Sequence, residues 1–294
     1  MGKIAVVGSL NMDVSYRVAH IPAPGETILA QGVAKNPGGK GGNQAVAAAK
    51  MGAGVSMIGL TGDDADGEAL RRSLAGAGVD TAFVGRCGEP TGTAFICVSD
   101  AGENNIVVHA GANACVDARA LAEADACLRA AEMCVVQLEI PHETAWQALR
   151  RCRELGVFTV LNPSPACPVP DSVLRGLDLL VPNETEMEAL LPGALDLDAL
   201  PGYAREKGVR RILMTLGDKG CCLATAEGVR RFPCTPVRAV DTTGAGDTFL
   251  GALCAMLAEG RALEEAIAIA QRAAAWAVAR PGAQQAMPCR ENIL

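Results

Sequence analysis

Short runs of aliphatic and β-branched residues alternate along this chain with longer stretches that have helical periodicity. The aliphatic runs are residues 3–7, 55–58, 133–138, 158–161, 179–181 and 211–215. The helical stretches are residues 43–51, 67–75, 118–131, 142–154 and 263–279. Alternation of this kind is typical of βαβ units. It predicts an α/β fold in which a Rossmann-like, mostly parallel central sheet carries helices on both faces.

No low-complexity linker interrupts this pattern, so we expect residues 1–294 to form a single domain. Hydrophobic residues make up 50% of the chain, but aromatic residues only 3%. The interior must therefore be built mainly from Ala, Val, Leu and Ile, which suits helices packed closely on a parallel sheet.

A second group of β-rich segments is separated by turn residues rather than by helices. These segments are residues 14–17, 27–35, 93–98 and 105–109. They form two excursions from the main pattern, at about residues 14–35 and 93–109. We expect them to form a small β-sheet lid over the carboxyl ends of the main strands, where open α/β sheets bind ligands.

The charges and the cysteines restrict the partners and the compartment. The chain has 26 Lys and Arg against 33 Asp and Glu, and its basic residues are scattered, which argues against nucleic acid as a partner. The apolar tract at residues 266–279 is interrupted by Gln271 and Arg272 and is too short to span a membrane. Twelve cysteines without CxxC spacing, several of them in apolar runs, predict reduced and buried thiols in a cytoplasmic protein.

The segment DTTGAGD, residues 241–247, combines two glycines, a helix start and a carboxylate. Gly244 and Gly246 precede an apolar helical run, so several backbone N–H groups should point outward together at the helix start. Such a site attracts phosphate and stabilises the charge that develops in phosphoryl transfer. A carboxylate there would repel phosphate unless it serves a second substrate, so Asp247 is a candidate base for an attacking hydroxyl.

A purely structural interpretation of this segment is equally consistent with the motif taken alone. Asp247 would then be a first-turn residue favoured by the helix dipole, and the glycines would form only a turn. Two other glycine signatures do not fit. A GxGxxG fingerprint would need glycine where Phe249 stands, and no GxxxxGK[ST] occurs.

A second glycine cluster occupies residues 38–43 and precedes an alanine-rich helix. Its backbone can approach a ligand closely, while Lys40 and Asn43 supply donors, so we interpret it as a binding loop that includes Gly39. Asn43 is also a candidate N-cap of the following helix. The alternative is a flexible lid hinge with a solvated lysine.

Polar residues follow two of the expected strands. Asn11 and Asp13 come soon after the first strand, and Glu139 follows the strand at 133–138. An ionised carboxylate accepts from two neighbouring hydroxyls and an amide both donates and accepts, so this group suits a sugar diol. An Asx-type turn is the alternative for residues 11–13.

Two further segments concern a nucleotide. Asn183 and Glu186 match a capping box, and Glu186 can also bind hydrated Mg²⁺ through water, since Mg²⁺ takes few protein ligands. The strand-to-turn segment at residues 215–220 could line a nucleotide pocket or be an ordinary turn.

The whole set of motifs resembles the ribokinase family of carbohydrate kinases over nearly the entire chain. In chain order the motifs are GSLNMD, PGET, GGKGGNQA, TGDD, GENN followed by HAGAN, NPSPA, PNETE, TLGDKG, DTTGAGD and RPGAQ. The two glycine motifs with PNETE between them are a specific combination.

The resemblance implies transfer of the ATP γ-phosphoryl group to the 5-hydroxyl of D-ribose. It implies Asp247 as the catalytic base and an anion hole at Gly244, Ala245 and Gly246. The implied sugar-binding residues are Asn11, Asp13, Gly39, Lys40, Asn43, Glu139 and Asp247. The implied ATP contacts are Asn183, Thr215, Gly217, Gly220, Gly246 and Gln271, with Mg²⁺ as cofactor.

The resemblance also implies an activating K⁺ ion and a homodimer that pairs through the lid sheet. The matching K⁺ positions are Asp241, Thr243, Ala277, Arg280, Gly282 and Ala286, mostly through backbone carbonyls. Position 286 departs from the family, which more often has serine there. Two alternatives remain: a related kinase acting on deoxyribose, fructose or a nucleoside, and a non-catalytic sugar sensor on the same fold.

Overall fold

The computed structural model describes residues 2–191 and 193–294. In chain order its strands are β1 (Lys3–Val7), β2 (Asn11–Val18), β3 (Gly32–Gly38), β4 (Gly54–Gly62), β5 (Val79–Cys87), β6 (Gly92–Ser99), β7 (Asn104–His109), β8 (Met133–Val136), β9 (Phe158–Leu161), β10 (Leu179–Leu180), β11 (Ile212–Thr215), β12 (Cys221–Thr225) and β13 (Gly228–Phe232). Its helices are α1 (Lys40–Lys50), α2 (Ala65–Gly76), α3 (Ala118–Glu123), α4 (Asp125–Ala130), α5 (His142–Glu154), α6 (Asp171–Leu174), α7 (Glu184–Glu188), α8 (Leu200–Lys207), α9 (Ala245–Ala258) and α10 (Leu263–Val278).

The described residues form a large nine-stranded sheet in the order β13-β12-β11-β10-β9-β8-β1-β4-β5. The strands from β5 to β11 pair in parallel, and only β12 and β13 are antiparallel. The predicted mostly parallel sheet is therefore confirmed. Three strands, β5, β12 and β13, were not predicted from the sequence.

The core lies on both faces of this sheet. Along β1, Ile4 and Val6 belong to one buried cluster, whereas Ala5 and Val7 belong to the other. Successive side chains of a strand point to opposite faces, so a strand covered on both sides reads as a continuous apolar run. Helices α1, α9 and α10 contribute to the first cluster, and α5 and α8 contribute to the second.

The second sheet has four strands in the order β3-β2-β6-β7. Strands β2 and β6 come from the two sequence-distant excursions and pair in parallel, with Asp13 opposite Ala94. The segments expected at 14–35 and 93–109 thus contribute to one small separate sheet, as predicted. Strands β2 and β6 begin slightly earlier than predicted, at Asn11 and Gly92, whereas β3 begins at Gly32 instead of residue 27 and continues to Gly38.

Several element boundaries differ from the sequence predictions. Helix α1 begins at Lys40, so the prediction of Asn43 as its N-cap is wrong. Gly39 is the N-cap residue, with φ 81°, and no side chain caps the helix, because the glycine backbone turns directly from β3 into α1. Residues 118–131 form two short helices, α3 and α4, instead of one. Strand β8 ends at Val136, two residues before the predicted end.

All twelve cysteines are free in the described residues, but the prediction that they are buried is only partly correct. Cys134, Cys152, Cys221, Cys222 and Cys254 are buried, six others are half-buried and Cys289 is exposed. Within the described residues, none of the helices combines the length and the apolar character that crossing a bilayer requires.

Candidate active site

The amino end of α9 forms one wall of the candidate site. Gly244 is its N-cap residue, with φ 71°, a conformation that glycine adopts at little cost. Its carbonyl accepts from the backbone and the side chain of Thr248, both at 2.8 Å. In the described residues the N–H groups of Gly244 and Gly246 have no acceptor, whereas Ala245 N donates to Thr242 O at 3.2 Å. Free amides at a helix start can hold an anion.

Asp247 lies in the first turn of α9 and is only 8% exposed. Two neighbouring amides of α1 bind its two carboxylate oxygens. Asn43 Nδ2 donates to Oδ2 at 3.0 Å, and Gln44 Nε2 donates to Oδ1 at 2.9 Å. A carboxylate accepts about four hydrogen bonds. Asp247 therefore keeps acceptor capacity for a further donor.

A cavity of about 230 Å³ opens beside Asp247. Its lining residues are Lys40, Asn162, Val181, Asn183, Glu186, Thr215, Thr242, Gly244, Ala245, Gly246, Asp247 and Leu250. The cavity therefore joins the start of α9 with the carboxyl ends of several parallel strands, where such sheets bind ligands.

Lys40 supplies a cation to this cavity. Burial lowers the pKa of Lys40, but Asp247 and Glu139 outweigh burial, with a further contribution from Glu186. The net result is a pKa above the usual value, so the ammonium group stays charged. A half-buried lysine among three carboxylates can bind a strongly anionic ligand once that ligand enters the cavity.

Asn11 and Asp13 lie at the start of β2, next to the end of β3. Asn11 is buried, and its Oδ1 accepts from Asn113 Nδ2 at 2.7 Å. Burial raises the pKa of Asp13 to about 7, and the charges of Glu139 and Asp247 add to this. Asp13 thus belongs to the same electrostatic cluster as Asp247, although it comes from the small sheet.

Glu139 completes this half of the site from the loop after β8. Its Oε2 accepts from Ser9 Oγ at 2.5 Å and from the backbone N–H of Lys40 at 3.1 Å. The carboxylate therefore sits at the amino end of α1, where the helix dipole favours negative charge. Gly39 lies between β3 and this helix end, close to the backbone of Leu10 and Asn11.

Glu186 of α7 lies on the opposite side of the candidate site. Glu186 and Asn183 form the predicted capping box, with Glu186 N donating to Asn183 Oδ1 at 2.8 Å and Asn183 N to Glu186 Oε2 at 2.9 Å. Asn162 Nδ2 also donates to Glu186 Oε2, at 3.2 Å, while its Oδ1 accepts from Gln44 Nε2 at 3.2 Å. Asn162 therefore links the capping box to the amides around Asp247.

The model of the pfkB family of carbohydrate kinases matches residues 1–290 of this chain. The chain belongs to this family. Among relatives of this kinase, the ribokinase of Bacillus subtilis is 37% identical over 100% of this chain and 98% of its own length. A deoxyribokinase of Salmonella typhi is 35% identical, with 99% of this chain and 97% of the relative covered.

A solved structure gives the same result for the fold. The Arabidopsis thaliana ribokinase complexed with ribose and ATP has a TM-score of 0.91 and 32% identity, and the match covers 100% of this chain and 98% of that one. The family resemblance and the α/β fold with a small separate sheet are thus confirmed. The pfkB chain is a kinase, and the sensor alternative loses its support.

The residues predicted to contact a nucleotide lie in three places in this kinase. Asn183, Thr215 and Gly246 line the cavity. Gly217 and Gly220 lie in the turn after β11, and a side chain at Gly220 would collide with the backbone near Cys234. Gln271 of α10 lies outside the cavity lining, and its Nε2 donates to Phe232 O at 2.8 Å.

The six predicted cation positions fall on two adjoining segments of the kinase. Asp241 Oδ1 accepts from Thr243 N and Asp241 Oδ2 accepts from Gly282 N, each at 2.9 Å. Burial raises the pKa of Asp241, but these hydrogen bonds outweigh it, so the pKa lies below its usual value. Ala277 lies in the last turn of α10, Arg280 and Ala286 follow that helix, and both Ala277 and Ala286 are buried.

Sequence reasoning missed several residues that build this site. Gln44, Asn113, Asn162 and Gln284 were not selected, although each holds a predicted site residue by a side-chain hydrogen bond. Asn162 directly follows β9, a position at the carboxyl end of a parallel strand that could have identified it. Gln44 adjoins Asn43 in sequence. The sequence did not show that the helix begins at Lys40 and that both side chains then face Asp247.

Proposed function

We propose that this enzyme phosphorylates D-ribose at the 5-hydroxyl with ATP and yields ribose 5-phosphate and ADP. The placement of Asp247 supports this most strongly, because a buried carboxylate lies beside free amides at a helix start and shares a cavity with Lys40. The relatives named as ribokinases support the choice of sugar.

In the proposed mechanism Asp247 accepts the proton of the attacking hydroxyl. The amides of Gly244, Ala245 and Gly246 stabilise the charge on the migrating phosphoryl group, and Ala245 exchanges its bond to Thr242 for the ligand. Phosphoryl transfer passes through a loose transition state, so positioning and charge stabilisation supply most of the catalysis. Lys40 contributes positive charge at the same place.

The sugar would lie between the small sheet and the loop that carries Glu139. Asn11, Asp13, Gly39, Lys40, Asn43 and Glu139 would bind its hydroxyls, since they supply both donors and acceptors. The small sheet, built on about residues 14–35 and 93–109, would close as a lid over ribose and exclude water from the transfer.

ATP would occupy the side of the cavity formed by Asn183, Thr215 and the turn at Gly217 and Gly220, with Gly246 at its γ-phosphate. Gln271 would reach the nucleotide only after releasing Phe232 O. Glu186 fits an outer position for Mg²⁺, because its two oxygens already accept protein N–H groups and it would bind the metal through water. Mg²⁺ would neutralise charge on the phosphates.

The donors near Asp241 fit a monovalent cation such as K⁺. Within the described residues no group of three or more His, Cys, Asp or Glu side chains is arranged to hold a metal ion, so backbone carbonyls must supply most ligands. The carbonyls of Thr243, Ala277, Arg280, Gly282 and Ala286 would do so beside the Asp241 carboxylate. K⁺ would add positive charge behind the anion hole. ATP use and free thiols support a cytoplasmic location for the enzyme.

A homodimer would pair through the small sheet. Its face and outer strand expose apolar side chains, namely Val33 at 65%, Phe95 at 47%, Ile106 at 51%, Val107 at 64% and Val108 at 52%. The strand register puts Val33, Phe95 and Val107 on the same face of the sheet, and an exposed apolar face of this kind is typical of a protein interface. A second copy of the same sheet offers an apolar surface of matching size.

An assay of ADP release over a panel of sugars tests the function. We expect release to require Mg²⁺ and ribose and to rise with K⁺. Release that is independent of every sugar, or its absence with all of them, would refute the proposal.

Deoxyribose is the second candidate acceptor, because the Salmonella typhi relative carries that name at 35% identity. If Asp13 accepts from the 2-hydroxyl, 2-deoxyribose should lose about 10- to 100-fold in kcat/KM, since a buried acceptor is left unpaired. Equal values for the two sugars would favour the alternative.

A further inference from the structure

Gln137 holds the one buried side-chain oxygen or nitrogen of the described residues that lacks a hydrogen-bond partner. The atom is its Oε1, and the side chain is fully buried just after β8. Oε1 lies against the backbone of Gly8, whose N–H already donates to Ile58 O at 3.1 Å. Buried polar atoms are normally paired, so this acceptor needs a physical explanation.

The explanation lies in a line of amides that ends at Asp247. Gln137 Nε2 donates to Gln44 Oε1 at 2.6 Å, and Gln44 Nε2 donates to Asp247 Oδ1 at 2.9 Å. Gln44 is 1% exposed, so water does not substitute for either bond. Gln44 thus uses its carbonyl oxygen toward Gln137 and its NH₂ group toward the carboxylate and toward Asn162 Oδ1.

The charge of Asp247 fixes the direction of this line. An ionised carboxylate only accepts, so Gln44 must present its NH₂ group to Asp247 and its carbonyl to Gln137. Gln137 must then donate, and its own carbonyl is left over. If only the Gln137 amide were flipped, its carbonyl oxygen would face the carbonyl oxygen of Gln44. If both amides were flipped, the carbonyl oxygen of Gln44 would face the carboxylate of Asp247. The unpaired atom is therefore the consequence of orienting Gln44 toward Asp247.

We propose that Gln44 is a positioning residue that holds and orients the Asp247 carboxylate, and that Gln137 fixes the orientation of the Gln44 amide. The inference rests on the proposed role of Asp247 as the base. A hydrogen bond to the charged form of a carboxylate favours that form. Asn43 binds the other oxygen, and Gln284 Nε2 donates to Asn43 Oδ1 at 3.0 Å, so a second amide pair fixes the opposite side.

Replacement of Gln44 by methionine tests the proposal, because methionine has a similar size and no amide. Gln44→Met should lower kcat by about 10- to 100-fold, the range for a lost hydrogen bond to a charged group. Ribose KM should change less than about threefold, since the residue acts through the base. The acid limb of the kcat profile should move to higher pH by about one unit.

Gln137→Met should produce the same changes to a smaller extent, with kcat about 3- to 10-fold lower, the range for a neutral hydrogen bond. Gln147→Met is a matched control. Gln147 Nε2 donates to Glu143 Oε1 at 3.2 Å on α5, where the carboxylate is exposed, so this variant should keep the parent kcat and pH profile. If Gln44→Met folds and keeps the kcat and the pH profile of the parent enzyme, the proposal is wrong.

Gln44→Glu is the second variant if the methionine variant does not fold. It keeps the side-chain size and sets a carboxylate against Asp247, so the acid limb should move further upward. An unmoved limb would equally overturn the proposal.

A double mutant separates this inference from the proposed function. In the Asp247→Asn background, Gln44→Met should cause no further loss of kcat, since no charged form remains to be held. A full additional loss would show that Gln44 acts elsewhere. Near-parent turnover of Asp247→Asn alone would refute the role of the base itself.

Discussion

The hydrogen bonds that hold the Asp247 carboxylate come from residues that are distant in sequence. Asn43 and Gln44 follow one another on α1, and their amides bind one oxygen each of a carboxylate that belongs to α9. Lys40, one turn earlier, lies in the same cavity. The proposed ability of Asp247 to accept a proton therefore depends on how helices α1 and α9 pack together.

Asp247→Asn should lower kcat by about two or more orders of magnitude, because the amide cannot take the proton of the sugar hydroxyl. Ribose affinity should be largely kept, since the amide still fills the same space. Single-turnover kinetics and equilibrium ribose binding measure the two effects. Asp198→Asn, at an exposed position, is the control and should keep full activity. A fall in affinity without a fall in kcat would contradict the assigned role.

Asp13 should destabilise the ligand-free enzyme at neutral and higher pH. Its folded pKa is raised from 3.8 to about 7, chiefly by burial, so between these values the folded state holds a proton that the unfolded state has lost. Stability therefore falls as the pH rises through this window. Asp13→Asn should raise the melting temperature at pH 8 and leave it nearly unchanged at pH 4, while weakening ribose binding. Equal shifts at both pH values would count against this account.

At the level of single elements, the start of α9 depends on one backbone conformation. Gly244 has φ 71°, and its carbonyl anchors Thr248, so this glycine both ends the preceding loop and begins the helix. Gly246, two residues later, has open space where a side chain would begin. The two glycines of the motif thus have different structural roles.

Gly244→Ala should lower the free energy of unfolding by about 1–2 kcal/mol, the cost of a left-handed conformation for a residue with a Cβ. Gly246→Ala should change it by less than about 0.5 kcal/mol. Urea denaturation of both variants measures the difference. Equal losses would mean that the conformation of Gly244 is not what sets the helix start.

The limits of sequence prediction also appear at this level. The strands β1 and β9 and the helix α5 have the bounds that the sequence predicts, since their apolar periodicity is strong. The edge strand β13 was missed because it is largely exposed and has no continuous apolar run, whereas β12 is a buried apolar run that was overlooked. Residues 118–131 keep helical periodicity through Ala124, where the structure ends one helix and begins the next, so periodicity alone could not divide them.

The candidate site was predictable where it follows strand ends and glycine motifs. Asn11, Lys40 and Asp247 were selected in this way; Lys40 and Asp247 line the same cavity, and Asn11 lies against Gly39, the residue before Lys40. Gln44 and Gln137 could not be selected, because glutamines in apolar stretches carry no local signal. Their role depends on the contact of α1 with α9 and on the position of β8, which only the folded molecule determines.

For the whole molecule, the apolar small sheet should determine the oligomeric state. Val107→Lys should convert a dimer to a monomer, because it sets a charge in the buried interface beside Phe95. Sedimentation velocity at micromolar concentration measures this. Leu294→Lys, at another exposed apolar position, should leave the state unchanged. A parent protein that is monomeric at all concentrations would exclude this interface.

The connection from the small sheet to helix α1, which packs on the large sheet, is very short. β3 ends at Gly38 and α1 begins at Lys40, so a single residue joins them. Any tilt of β3 must therefore turn the helix that carries Lys40, Asn43 and Gln44. Inserted residues are tolerable in the long connection between β2 and β3, but one inserted here would rotate three functional side chains off their targets.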